Sequence, residues 1–141
     1  MTLGTDLAAA LLELRAQAES LMLDTCTVGN PTGTITNETT GVVTVTYTNV
    51  YGPTIAPYYG KFKMQSTTGA PANPTVGGAT FTVLRSEAHF PVGAFTPDDG
   101  QVVRPTAVVL DPLLVGRVFR VVSLLHKSMA TAYRLGVEEV V

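Results

Sequence analysis

Residues 111–141, DPLLVGRVFRVVSLLHKSMATAYRLGVEEVV, decide how the rest of the chain is interpreted. The turn-forming pair Asp111-Pro112 opens the stretch, and one strand is predicted over Arg117–Ser123 and another over Thr131–Val140. Leu124–Ala130 is the short, polar-tipped connection between them. Side chains of the first strand alternate between two faces, with Val118, Arg120 and Val122 on one and Phe119, Val121 and Ser123 on the other. The stretch therefore predicts a β-hairpin, and it contains none of the familiar catalytic or ligand-binding motifs.

Length and composition indicate one domain over residues 1–141 with a real core. Apolar residues make up 45% of the 141 residues, whereas charged residues make up only 14%, well below the usual quarter. Abundant threonine and valine favour strands over helices. The net charge of −2 gives no electrostatic argument for a polyanionic partner. Cys26 is the single cysteine, so an intrachain disulfide is excluded, and we expect a soluble protein without a signal peptide.

One helix is predicted, over Thr5–Leu23, with Thr5 or Asp6 as its N-cap. Apolar side chains recur along it at alternating spacings of four and three residues and make one stripe: Leu7, Leu11, Leu14, Ala18 and Leu21. The stripe has two interpretations. It packs on the domain's own sheet, which is the more common arrangement, or it docks on a neighbouring subunit.

Short strands separated by turn signals fill the rest of the chain. Before the C-terminal hairpin they are predicted at Asp24–Val28, Val42–Tyr51, Tyr58–Gln65, Ala79–Glu87 and Gln101–Leu110. Two uncharged or nearly uncharged loops are predicted between them, at Gly29–Gly41 and Ser66–Gly78. The fold class is therefore mainly β: a small barrel or sandwich of about six to seven antiparallel strands over residues 24–141, with one N-terminal α-helix over residues 5–23.

The titratable residues do not form a recognisable reaction centre. His89 and His126 lack partners at metal-binding spacing, and a zinc site needs about four converging ligands. Asp98-Asp99 is part of a turn and Glu138-Glu139 flanks a terminal strand, so neither pair has the pattern of a calcium loop. We therefore predict no catalytic residue, no metal site, no cofactor and no enzymatic activity.

Basic residues are concentrated late in the sequence and are interleaved with Phe119 and Tyr133. They are Arg104, Arg117, Arg120, Lys127 and Arg134. A small barrel that binds single-stranded nucleic acid combines cations with aromatic stacking platforms in this way. The same pattern is also expected on the solvated face of a barrel, so nucleic-acid binding stands as the alternative from a different functional class.

Four motifs together resemble a known protein family. They are LLELRAQAESLMLDTCTV beginning at Leu11, GKFKMQ over Gly60–Gln65, DPLLVGRVFR over Asp111–Arg120, and the stretch His126–Glu139. Their order and residues are similar to the head-closure, or head-to-tail stopper, proteins of tailed bacteriophages, mainly those that infect actinobacteria. The similarity spans nearly the whole chain. It departs at Phe62, where such proteins often carry a cysteine, and it does not extend to Ser66–Gly78.

The resemblance implies a barrel domain that assembles as a homo-oligomeric ring in the virion neck, after synthesis in the host cytoplasm. Such a ring lies between a portal-bound adaptor and the tail terminator or tail tube. It retains packaged double-stranded DNA without sequence-specific binding and has no membrane contact. A tail terminator or another neck connector is the alternative within the same class. The residues predicted to contact subunits or partners are Thr67, Thr68, Pro71, Asn73, Pro74, Leu7 and Leu11.

Overall fold

The computed structural model describes residues 2–66, 75–80 and 86–140 of the chain. It has one α-helix, α1 (Leu3–Ser20), and a short 3-10 helix over Pro112–Leu114. The strands in chain order are β1 (Asp24–Thr36), β2 (Val43–Tyr51), β3 (Lys61–Ser66), β4 (Thr75–Val76), β5 (Ala79–Thr80), β6 (Ser86–Phe90), β7 (Val102–Ala107), β8 (Phe119–Leu125) and β9 (Tyr133–Glu139).

Six of these strands close into an antiparallel barrel. The order is β1-β3-β6-β9-β8-β7, and pairing of β1 with β7 closes the ring. β2 lies outside the barrel and pairs with β1, while β4 and β5 form a separate small hairpin. Closure removes the free edges of the six barrel strands. The predicted fold class, a small and mainly β barrel with one N-terminal helix, is confirmed.

The barrel interior is filled by its own side chains. Phe62, Phe90 and Val121 are fully buried, and they belong to one apolar cluster drawn from all six barrel strands and from Tyr51 of β2. Aromatic rings make up one part of this cluster. The Tyr51 ring stacks on Phe95 with centroids 5.3 Å apart, and Phe90 meets Phe95 edge-on at 5.0 Å. Such contacts add about 0.5–1.5 kcal/mol each beyond the area they bury.

The C-terminal hairpin forms as predicted, with slightly shifted ends. β8 pairs with β9 from Phe119 opposite Glu139 to Leu125 opposite Arg134. Phe119 and Val121 are buried and Arg120 is exposed, as the predicted alternation requires, but Ser123, predicted to share the face of Phe119 and Val121, is exposed. A register shift between Val121 and Ser123 places Ser123 opposite Gly136. A Cβ at Gly136 would overlap the Ser123 hydroxyl, so any larger residue there would require the Ser123 side chain to rotate away.

Several of the predicted boundaries were wrong: α1 ends at Ser20 and not at Leu23, and β4 lies within the predicted loop Ser66–Gly78. Thr2, and not Thr5 or Asp6, caps α1, because its side chain accepts the Thr5 N–H at 3.3 Å. Residues 58–60 form a turn before β3, with positive φ at Tyr59 and Gly60. β6 runs on to Phe90, where a loop was predicted.

The largest error concerns β1, which continues through the predicted loop to Thr36. Asn30 and Pro31 lie within the strand because β2 pairs with it along this length. Register shifts next to Pro31 accommodate a residue that has no N–H to donate. Only the last part of the predicted loop, from Asn37 onward, is a turn.

Candidate interaction surfaces

The chemically reactive side chains are dispersed. In the described part of the chain, no three His, Cys, Asp or Glu residues come together as a metal site would require. His89 Nε2 lies 3.1 Å from Glu87 Oε2, an isolated pair on β6. Cys26 is buried in the barrel, and burial raises the pKa of its thiol, which stays protonated. The remaining candidates for function are surfaces.

The outer halves of β1 and β2 form a two-stranded ribbon, residues 30–48, that extends beyond the barrel. Residues 30–45 are exposed on both faces of the ribbon. Among its residues only Glu38 is charged. An isolated two-stranded ribbon is only marginally stable in water, so a second surface that covers it would stabilise it.

The two faces of the ribbon carry exposed apolar side chains. Val43 and Val45 pair with Thr36 and Thr34 on one face, and they are 58% and 43% exposed. Ile35 lies on the other face and is 63% exposed. Neither face is dominated by charge, so both could be covered without burying an ion.

The outer edge of β2 is open. In the sheet of described strands, β2 is the terminal strand and pairs only with β1. Its sequence, VTVTYTNVY, has no charged residue and no proline. Lysine, proline and other devices normally protect such an edge against pairing with another chain. This edge could therefore accept a further strand.

The base of the ribbon is attached to the barrel through Arg104 of β7. Its guanidinium carbon lies 4.1 Å from the centre of the Tyr47 ring, and Nη2 donates to Asn49 Oδ1 at 2.9 Å. The Arg104 Nε is buried and has no hydrogen-bond partner among the described residues. Gly29 permits this packing, since a Cβ there would lie 2.9 Å from Asn49 Oδ1. The ribbon thus leaves the barrel at a defined, packed point.

The helix α1 touches the barrel along one side only. Arg15 Nε donates to the Ala130 carbonyl at 2.9 Å, and Lys61 Nζ lies 3.2 Å from Glu19 Oε1. No residue of α1 is buried, and residues 3–10 are all exposed. Leu11 and Ala18 of the apolar stripe are half-buried, whereas Leu7, Leu14 and Leu21 are exposed, so the described part of the barrel covers the stripe only in part.

An apolar groove begins where α1 ends. It has a volume of about 280 Å³, and its apolar lining consists of Leu21, Leu23, Met64, Val108, Leu110 and Leu114. Asp24 Oδ1 accepts the Val109 N–H at 3.0 Å and holds the loop after β7 against the start of β1. Leu110 and Leu113 of this loop are largely exposed. The apolar surface of the helix therefore continues into the loop.

The predicted contact residues are only partly placed. Leu7 is exposed and Leu11 is half-buried on α1. The other five, Thr67, Thr68, Pro71, Asn73 and Pro74, lie outside the described residues.

The basic residues do not surround a stacking platform built on Phe119. That ring is buried in the core. Arg104 is held by Tyr47, and Arg117 Nη1 pairs with Glu139 Oε2 at 3.2 Å. Arg104 and Arg117 therefore pair with neighbouring side chains of the same chain.

Sequence reasoning missed the ribbon. The alternating β2 sequence was recognised, but its partner, residues 30–36, was interpreted as a loop because of the turn signal Asn30-Pro31-Thr32-Gly33. The pattern Thr32, Thr34 and Thr36 around Ile35 was the available signal, since it matches the period of a strand.

Comparison with known proteins identifies a family without a known activity. A family model described as a family of unknown function (DUF6093) matches residues 14–138, so the chain belongs to that family. Searches of curated proteins and of solved structures found no significant match. Within the described residues, no helix is both long enough and apolar enough to cross a membrane.

Proposed function

We propose that this member of the DUF6093 family is a structural subunit of a tailed-phage neck, the head-to-tail stopper. In this proposal copies of the chain form a ring between the portal-bound adaptor and the tail. The ring retains packaged DNA and presents a docking surface for the tail. The chain acts in the virion by holding neighbours together, and it converts no substrate.

The observation that carries the proposal is the ribbon, residues 30–48, whose only charged residue is Glu38 and which projects from a barrel whose core is filled by its own side chains. The barrel needs no ligand to fill its interior, because Phe62, Phe90 and Val121 do so. The ribbon and α1, in contrast, leave apolar side chains in water. A chain whose core is filled by its own side chains, but whose surface leaves apolar side chains exposed, has the features expected of an assembly subunit.

The resemblance of residues 111–139 to head-closure proteins supports the choice among assemblies. Those residues form the β8–β9 side of the barrel and the loop beside α1. A tail terminator is the alternative within the same class, since it too is a small ring-forming subunit. Nucleic-acid binding has less support because Phe119, one of its two expected stacking residues, is buried.

Localisation within particles tests the neck proposal directly. Electron microscopy of virions with a labelled copy of this chain should place the label at the head–tail joint. In preparations of separated parts, a stopper should remain with filled heads, whereas a terminator should remain with tails. A chain that is absent from virions would overturn the proposal.

Charged substitutions test the role of the ribbon. Ile35→Asp combined with Val43→Asp places charge on both faces of the ribbon and should prevent joining of heads to tails. Both side chains are exposed, so we expect the free energy of unfolding to change by less than about 1 kcal/mol. Leu125→Asp, an exposed apolar position on β8, is the matched control and should give normal virions. If the ribbon variant joins heads to tails normally, then the ribbon has no role in joining, even if the chain lies in the neck.

A further inference from the structure

We infer that β2 of one copy of this chain pairs antiparallel with β2 of a second copy, edge to edge, with Val45 opposite Val45 of that copy. The two ribbons then form one continuous four-stranded sheet. This contact is two-fold and closed, whereas a ring is built from head-to-tail contacts. The inference therefore concerns the free protein and stands independently of the neck proposal.

The outer edge of β2 carries a row of unpaired backbone groups. The N–H of Asn37 donates to the Val42 carbonyl at 2.8 Å, so this carbonyl points toward the β1 side of the ribbon. Along an antiparallel strand, every second residue directs its N–H and C=O groups toward the same neighbour. The residues between them, Val43, Val45 and Tyr47, therefore direct their backbone groups outward, away from β1.

The position of Pro31 supports this assignment and its consequence. Pro31 lies opposite Tyr47, and a residue without an N–H fits best where β2 offers no carbonyl to receive one. The groups that remain unpaired are donors and acceptors at the spacing of a strand. Another extended strand satisfies such a row, as in the recognition of peptides by exposed sheet edges. The occupant of this edge is therefore a strand.

The β2 sequence matches itself when two copies run antiparallel about Val45. In that register Val43 lies opposite Tyr47, and Thr44 lies opposite Thr46. All outward groups of Val43, Val45 and Tyr47 then find partners, because alternate pairs of opposite residues exchange both hydrogen bonds. On one face valine meets tyrosine and valine meets valine, while on the other face threonine meets threonine. Aromatic side chains beside β-branched ones, and threonine beside threonine, are favourable cross-strand neighbours.

Charge favours this partner and the antiparallel direction. β2 has no charged residue, so two copies of it bring no like charges together along the new contact. The only charge of the ribbon, Glu38, lies in its turn, and Arg104 lies against Tyr47 at its base. Antiparallel strands bring the turn of each ribbon toward the base of the other, so Glu38 approaches a positive charge. Parallel strands would bring the two Glu38 carboxylates together.

The edge is accessible in the described structure. Val43 and Val45 are 58% and 43% exposed, and no described strand lies beyond β2. Pairing also converts a marginally stable two-stranded ribbon into a four-stranded sheet. The contact spans about five residues of each copy, against about 20–30 in a standard interface. The expected pair is therefore weak and depends on concentration.

Sedimentation equilibrium of the full chain, from about 10 to about 500 μM, tests the pair, since this range brackets a weak dimer. The parent protein should approach twice its monomer mass at the upper end and should not exceed it. Val45→Lys should weaken association at least roughly tenfold, because it sets two ammonium groups opposite each other at the symmetry axis. Ile35→Lys changes the net charge equally at an exposed position on the inner strand of the same ribbon, and it should associate as the parent does.

Three results would overturn the inference. The first is a parent protein that stays monomeric throughout, which would leave the edge to a strand of another protein. The second is a mass that grows beyond the dimer, since a two-fold contact closes on itself. The third is equal weakening by Val45→Lys and Ile35→Lys, with circular dichroism showing that both variants keep their fold.

Disulfide trapping tests the register. Cys26 is buried, so a cysteine introduced on β2 is the accessible thiol. Val45→Cys should form a disulfide-linked dimer, because the two Cα atoms lie about 5.5 Å apart in this register, within the range that a disulfide spans. Val43→Cys should not link to itself, since Val43 of the second copy lies four residues, or roughly 13 Å, along the strand. Self-linking of Val43→Cys as fast as Val45→Cys would contradict the register.

Discussion

The barrel buries its apolar side chains, whereas the ribbon and α1, which project from it, leave many of theirs exposed. In the barrel every strand is paired on both sides, and large side chains such as Phe62 and Phe90 are wholly removed from water. In the ribbon and in α1, apolar side chains remain exposed, and Ile35 keeps 63% of its surface. The chain thus buries enough apolar surface in the barrel to fold, and it leaves apolar surface exposed on the ribbon and on α1. The difference predicts that damage to the barrel costs stability, whereas damage to the projections costs assembly.

The largest expected effect is in the aromatic core. Phe90→Ala removes a ring that contacts Tyr51, Phe62 and Phe95, and we expect it to lower the free energy of unfolding by about 3–5 kcal/mol. Ile35→Ala, in the ribbon, should change it by less than about 1 kcal/mol. Urea unfolding monitored by circular dichroism measures both. Similar losses at the two positions would show that the ribbon is part of the cooperative core.

Two glycines with the same backbone conformation offer a matched test. Gly60 and Gly41 both have positive φ, 79° and 71°. A Cβ at Gly60 would lie 2.7 Å from the carbonyl oxygen of Cys26, whereas a Cβ at Gly41, in the ribbon turn, would meet nothing within 4 Å. Gly60→Ala should therefore cost about 3 kcal/mol or more, and Gly41→Ala only the backbone strain of about 1–2 kcal/mol. Equal costs in thermal or urea melts would contradict the packing described around Gly60.

Alkaline pH should weaken the barrel through two buried groups. Burial is the main cause that raises the pKa of Tyr51 above its usual range, and burial also raises the pKa of Cys26. Both groups stay protonated in the folded chain after they have lost their protons in the unfolded chain. Stability is therefore fully present below the unfolded pKa values, roughly 8.5 for the thiol and 10 for the phenol, and it falls as the pH rises above them.

Above these pKa values the free energy of unfolding should fall by up to about 1.4 kcal/mol per pH unit for each group that titrates only in the unfolded chain. Urea unfolding between pH 7 and pH 11 measures it. Tyr51→Phe removes one of the two groups, along with the hydrogen bond from the Tyr51 hydroxyl to the Lys61 carbonyl at 2.6 Å. At pH 7 this variant should have a lower free energy of unfolding than the parent, but that free energy should fall less steeply above pH 10. A slope identical to that of the parent would exclude Tyr51 as a cause.

The smallest effect is expected where the two regions meet. Arg104 stacks on Tyr47 at the base of the ribbon, and a double-mutant cycle of Arg104→Ala with Tyr47→Ala should give a coupling of about 0.5–1 kcal/mol. Hydrogen exchange should show faster opening of the outer ribbon amides in Arg104→Ala and unchanged exchange in the barrel core. Loss of protection throughout the barrel would show that Arg104 supports the whole fold.

The sequence alone was sufficient for the fold class and for the C-terminal hairpin. Alternation over residues 117–123 predicted correctly that Phe119 and Val121 share one face, which the structure buries, because successive side chains of a strand point to opposite faces. It failed at Ser123, because a register shift follows Val121. The stripe of α1 was likewise visible in its spacing. The predicted loop contacts at Thr67, Thr68, Pro71, Asn73 and Pro74 lie outside the described residues and stay predictions.

Only the tertiary structure decided which apolar side chains remain exposed to water. Local turn signals at Asn30-Pro31 were overridden by the partner strand, since hydrogen bonds to β2 and nearby register shifts hold β1 extended as far as Thr36. The spacing of Leu7, Leu14 and Leu21 predicts an apolar stripe on α1, but it does not determine whether the barrel covers that stripe. The barrel closes without using the stripe, because its interior is already filled by its own strands. Which apolar surfaces face water depends on distant contacts, and local sequence does not specify them.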